Sequence, residues 1–435
     1  MARNRFASSS SYSPNKRSAW LRVSSLLALC FSFSQSLSAE SIGKKSFTRS
    51  NISVPLHITL INPYNNPFWE CADKFAKTVA GDLGLDLESI HAEHRLVAQH
   101  AMEDVIERKN KPEYLIMQYY TGTSARLLKD LDYAGIKSFV INTDSPKEEK
   151  RVIGKPRQFI PNWLGHMYPD DFYIGQEQAE QLIALAKDGD KTVEMIGIGG
   201  APRTTAGTLR NEGARFAASN NPKVKLNRMV FTQWQEHEGE QAAFNLLKQY
   251  PETRIIWTGS DNIAAGAIKA ALQLGYKPGE NIFVGGVDCS ANGLELIKQG
   301  HLSLSLCGHF LEVGWAIITL FDYYHGIDFK EDLGTVINLP VHAITQLNWR
   351  KYEGLVCDSD WQHVNFKHFS KYYNKALTQY DFGMESLRRE SEKGKKAAEQ
   401  AAQALPPTNP LPPDHQNSPG ISPVIKPYES MAEEY

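Results

Sequence analysis

The residues best suited to chemistry cluster in one loop. Directly after the β-rich run LHITLIN (56–62) the chain reads Asn62-Pro-Tyr-Asn-Asn-Pro-Phe-Trp69. Two adjacent amides and two adjacent large aromatics can recognise a sugar: ring faces stack on C–H faces, and amides bond hydroxyls. The same residues would also make a helix-capping turn with core aromatics. Signals for covalent chemistry are poor. Gly197-Ile-Gly-Gly200 hints at a dinucleotide loop, but the GxGxxG spacing fails because the third glycine falls at Pro202. The sequence contains no GxSxG, HExxH or P-loop, and no Cys/His cluster has zinc spacing. No spacing singles out a carboxylate pair for glycoside hydrolysis. No catalytic residue, metal or cofactor is therefore assigned.

These loops need elements to position them. From about residue 54 to 348, β-rich runs alternate with helical patterns: YLIMQ (114–118), KSFVIN (137–142), TVEMIGI (192–198), RIIWTG (254–259) and NIFVGGV (281–287) among them. Such alternation predicts an α/β fold with parallel sheets and helices on both faces. Nearly 300 residues exceed one sheet, so two doubly wound domains are expected; an eight-stranded barrel is the competing architecture. In such sheets ligands bind at the carboxyl ends of strands, where the 62–69 loop lies.

Composition changes along the chain. The 435 residues carry a formal charge of −2. Residues 1–39 hold five basic and no acidic residues around the apolar stretch VSSLLALCFSF, the layout of a cleavable signal peptide with export to the periplasm. Removing those five charges takes the net charge from −2 to −7, which argues against phosphate-driven binding of nucleic acid. Beyond Cys30, four cysteines allow three full pairings in an oxidising compartment, and no pairing is selected. Residues 349–384 are aromatic-rich. Residues 385–435 read as a charged, then proline-rich, disordered tail, although 385–403 also has the spacing of a solvated helix.

Ordered motifs extend the first loop into a family. NNPFW resembles the NNPFF signature of ribose-type sugar-binding proteins, the type I periplasmic binding proteins, whose relatives include autoinducer-2 receptors. Asp171 with Gly175, Arg210 with Gly213, Trp234, Ser260-Asp261 and Val287-Asp288 resemble its later motifs in order. The resemblance spans about 54–348. It implies two domains joined by a multi-strand hinge: domain I about 54–170 plus 309–335, domain II about 190–308 plus 336–348. The implied ligand residues are Asn66, Phe68, Trp69, Asn142, Asp144, Arg210, Trp234, Ser260, Asp261 and Asp288. Each has a plainer reading: an ion pair for Arg210, core filling for Trp234, a turn for Asp288, a helix N-cap for Asp261. Gln118, Tyr119 and His309 are weaker candidates. Cys289 and Cys307 flank the binding-strand ends, as a disulfide or as two buried thiols. Ser260, Gly308 and the Asn142-Thr143-Asp144 run depart from the ribose pattern.

The resemblance implies capture of a sugar-like small molecule and its delivery to an inner-membrane ABC permease. A receptor feeding a sensor kinase is the alternative, and a carbohydrate-active enzyme a remote one.

Overall fold

The computed structural model describes residues 55–404 except 358 and 360. The leader and the proline-rich stretch lie outside them.

The first lobe begins with β1 (His57–Asn62), α1 (Pro67–Leu83), β2 (Asp86–His91), α2 (Arg95–Glu107) and β3 (Tyr114–Gln118). It continues through α3 (Ser124–Tyr133), β4 (Lys137–Ile141), α4 (Lys147–Ile153) and β5 (Trp163–Met167). The chain then crosses into the second lobe. That lobe contains α5 (Asp171–Ala186), β6 (Val193–Gly199), α6 (Thr205–Ser219), β7 (Val224–Phe231), α7 (Glu236–Gln249) and β8 (Thr253–Thr258). It ends with α8 (Asp261–Gln273), β9 (Phe283–Val287), α9 (Ala291–Lys298) and β10 (Leu304–Cys307). A second crossing returns α10 (Glu312–Tyr324), α11 (Lys330–Leu333) and β11 (Val336–Ile337) to the first lobe, and a third carries β12 (His342–Thr345) back.

The sheets are six-stranded, in the orders β11-β5-β4-β3-β1-β2 and β12-β10-β9-β8-β6-β7. All pairs are parallel except β10 with β12. Strand β3 is buried along its whole length, as expected of a sheet covered on both faces. Strand order reverses beside β1 and beside β6, so each sheet opens a crevice at its carboxyl edge.

Three expectations need correction. Val336–Ile337 pairs with β5 in the first sheet, so the last crossing falls after β11 rather than before residue 336. The second lobe begins at α5, whose Gln178 bonds the carbonyls of Thr258 and Gly286. The third concerns the supposed tail, where residues 384–404 form a helix, α12. Its first turns bury Met384 and Leu387 and receive His368 on Glu390, so tertiary contacts support a stretch whose composition reads as solvated.

Residues 361–382 wrap over α1 and α10. Trp361 and Phe366 meet Phe75, while Phe369 and Phe382 meet Trp315. This cover explains why every residue of α10 from Glu312 to Asp322 is buried. Cys71 and Cys357 form a disulfide with Cα atoms 5.2 Å apart. Cys289 and Cys307 remain free, buried thiols.

Candidate ligand-binding site

The carboxyl edges of the two sheets face each other around a cavity of about 80 Å³. From the first lobe, Asn66 caps α1 by accepting from the Trp69 amide at 3.1 Å. That turn presents Phe68, which stacks on His309 with centroids 4.8 Å apart. Gln118 donates to Asn142 Oδ1 and Thr143 Oγ1 at 3.0 and 2.6 Å, fixing the amide of Asn142. The Asn142 backbone N–H donates to Glu312 Oε2 at 2.9 Å. Burial raises the Glu312 carboxyl well above the ordinary range.

Backbone conformation aims several of these side chains. Asn142, Trp234 and Asp288 have φ of 68°, 67° and 120°, and each follows a strand end. Left-handed conformations are costly for such residues and cluster at functional sites.

In the second lobe, Arg210 is held by two bonds. Nε donates to Asp171 Oδ1 at 2.8 Å and Nη1 to the Gly259 carbonyl at 3.0 Å. Both side chains are deeply buried, Arg210 at 4% and Asp171 at 1% exposure. Glycines make this pair reachable. A Cβ at Gly175 would lie 1.9 Å from the Arg210 carbonyl oxygen, and one at Gly213 would lie 2.0 Å from that of Phe172. Only glycine lets α5 and α6 cross this closely. The guanidinium stands 5.9 Å from the Trp234 ring, which rests on bare backbone: a Cβ at Gly200 would fall 2.1 Å from it.

Asp288 offers a carboxylate to the cavity, with His309 Nε2 3.1 Å from Oδ1. Burial, with the Arg210 charge, lowers the imidazole pKa to about 3. The ring is therefore neutral. Its Nε2 and Asp288 Oδ1 share a hydrogen bond that joins the ring to the carboxyl group. Asp261 receives Ser290 N at 2.8 Å, Ser290 Oγ at 3.0 Å and Ser305 Oγ at 2.6 Å. Burial raises both Asp261 and Asp288 to about 7. The three donors on Asp261 favour its ionised form, so a proton taken up by the pair resides on Asp288.

The site thus combines one carboxylate, one fixed guanidinium, neutral amides and hydroxyls, and aromatic walls. Among the described residues, no cluster of three His, Cys, Asp or Glu could hold a metal.

A periplasmic binding protein domain model matches residues 58–325. The chain belongs to the periplasmic binding protein family. The ribose import binding protein of Salmonella typhimurium is 24% identical over 249 residues, covering 57% of this chain and 77% of that one. A periplasmic sugar-binding protein from Pseudomonas fluorescens superposes with a TM-score of 0.69 at 28% identity, covering 76% of this chain and 99% of that one. A solute-binding protein from Actinobacillus succinogenes with bound D-allose gives a TM-score of 0.61 at 19% identity, covering 69% and 100%.

In this binding protein Asn66, Phe68, Trp69, Asn142, Arg210, Trp234, Ser260 and Asp288 line the cavity, as does Gln118. Trp69 lines it although the side chain also belongs to the core. Asp144 and Asp261 do not line it. Asp144 turns to Lys150 at 2.5 Å and to the Ser145 amide, beside a wider groove of about 730 Å³ at the cleft mouth. Asp261 is consumed by its serines, and its neighbour Asn262 faces the cavity instead. Tyr119 is buried in the first lobe and donates to Glu149 at 2.7 Å. His309, a weak candidate from sequence, is central. Sequence reasoning missed Tyr64, Thr143, Thr204, Ala206 and Asn262. Thr204, the N-cap of α6 in the loop leaving β6, was accessible to the rule that strand-exit loops build the site.

Proposed function

We propose that this protein captures a small sugar or sugar-like polyol between its lobes and passes it to an inner-membrane ABC permease. The observation that carries the reading is that Asp288 and Arg210 line one cavity with the Trp234 face, walled by both lobes. Vicinal hydroxyls can donate to the carboxylate and accept from the guanidinium while an aromatic face covers the ring. Unpaired polar groups would penalise ligands lacking those hydroxyls. The relatives, a ribose import binding protein and a periplasmic sugar-binding protein, support the same direction. Closure about the three lobe crossings would bury the ligand.

The test is a thermal-shift screen of pentoses, hexoses, polyols and furanosyl compounds on the purified protein. A ligand at a hundred times its dissociation constant adds about 2.7 kcal/mol. Asp288→Ala and Trp234→Ala abolish the shift in this reading. A full response from both variants overturns the site.

A further inference from the structure

The C-terminal segment touches both lobes. Strand β12 pairs with β10, and the chain then turns through Thr345–Asn348 and seats Trp349 and Glu353 on the end of α9. Lys298 Nζ lies 4.9 Å from the Trp349 ring and 2.9 Å from Glu353 Oε1. Four residues later the chain is in the first lobe, bonded through Cys357 to Cys71 of α1. Residues 361–382 then pack on the first lobe. The Phe366 amide donates to Asp82 at 2.9 Å, and Ser370, Lys371, Tyr372 and Tyr380 converge on Asp322 of α10.

Residues 354–356 are therefore a fourth crossing between the lobes, beside those at 168–170, 308–311 and 338–341. The segment also covers two of the others. Met384 lies against Gly308, and Gly383 against Pro340. Tyr352, buried beside His342, donates to Glu385 Oε1 at 2.5 Å, joining the second-lobe seat to α12.

We infer that this segment is a splint across the hinge, which restrains the lobes from opening when the cleft holds no ligand. The reason is chain length. Four residues extend at most about 14 Å, so Glu353 and Cys357 cannot separate further than that. Lobe rotation moves α9 relative to α1. Either the rotation stays small or Trp349, Tyr352 and Glu353 leave their seats. The exposed ion pair to Lys298 is worth little by itself. The buried Tyr352 and the covalent pin at Cys357 supply the restraint.

The inference rests on hinge motion and not on the identity of any ligand, so it is tested on the unliganded protein by small-angle X-ray scattering. The wild-type protein is expected to scatter as the closed form seen here. Two sets of substitutions, all away from the cleft, should each raise the radius of gyration. Cys71→Ser with Cys357→Ser cuts the first-lobe pin, and Trp349→Ala with Tyr352→Ala removes the second-lobe seat. The second pair leaves the disulfide intact and keeps the test valid if the first pair folds poorly. Wild-type scattering already as expanded as that of the variants overturns the splint. So do cooperatively folded variants that scatter like the wild type. Neither result bears on sugar binding, which the thermal-shift screen reads separately.

Discussion

Arg210 meets Asp171 from a neighbouring helix at 2.8 Å, and both side chains are almost wholly removed from solvent. The pair fixes the guanidinium that faces the cavity. It is also a buried charge pair, so its two members are not separately dispensable.

Asp171→Ala leaves Arg210 buried without its carboxylate. Removing one partner of such a pair costs about 3–5 kcal/mol. Asp171→Asn keeps an acceptor for Nε and should lose less. Urea unfolding reads the difference, and equal stability of Asp171→Ala and wild type would contradict the pairing.

Gly200→Ala drives a methyl group into the Trp234 ring, since its Cβ would sit 2.1 Å from the ring edge. Overpacking of this kind costs about 1–3 kcal/mol, and the displaced indole loses its place over the cavity. The expected result is a modest drop in melting temperature together with loss of the sugar-induced shift. Retention of the shift would show that Trp234 does not cover the ligand.

Ligand affinity should depend on pH through Asp288. Its pKa, raised to about 7, lies above the unfolded value of about 3.9. The unliganded fold therefore holds a proton that the unfolded chain releases. That contribution to stability is complete below about pH 4 and is lost as pH rises through about 7. Hydroxyl donors favour the carboxylate, so binding runs the other way and weakens as pH falls through the same value. Calorimetry at neutral pH in two buffers of different ionisation enthalpy should detect proton release on binding. An affinity that is flat between about pH 5 and pH 8 counts against Asp288 as acceptor.

Asp322→Ala should release the C-terminal segment. The carboxylate receives Ser370 Oγ at 2.5 Å, Lys371 N at 2.6 Å, Tyr372 N at 3.1 Å and Tyr380 Oη at 2.9 Å. Orphaning buried donors costs about 1–3 kcal/mol for each group left unsatisfied. Limited trypsin digestion should then cut faster at Lys367, Lys371 and Lys375. Unchanged digestion would mean that the aromatic contacts alone hold the segment.

Much of the architecture was legible because it is local. Apolar runs of strand length alternating with helical spacing already require parallel sheets. The NNPFW loop marks a strand exit and a helix cap in one stretch, and the structure puts both there. Gly175 and Gly213 stood in the sequence only as motif positions, and the fold alone shows that they let α5 and α6 cross closely beside Asp171 and Arg210.

What sequence alone could not decide depends on partners far along the chain. Asp261 and Asp288 are both acidic residues at strand exits. Three donors from Ser290 and Ser305 turn the first into a brace, and their absence leaves the second facing the cavity. Cys71 pairs with a cysteine 286 residues away, a choice among three pairings that only folding makes. Helix α12 looks solvated until the aromatic wrap supplies its buried side. The sequence determined the two-lobed α/β plan and the loops that carry the site, because periodicity and capping act within a few residues. The tertiary structure decided which acids, cysteines and aromatics meet, because burial and hydrogen-bond satisfaction depend on the whole chain having closed around them.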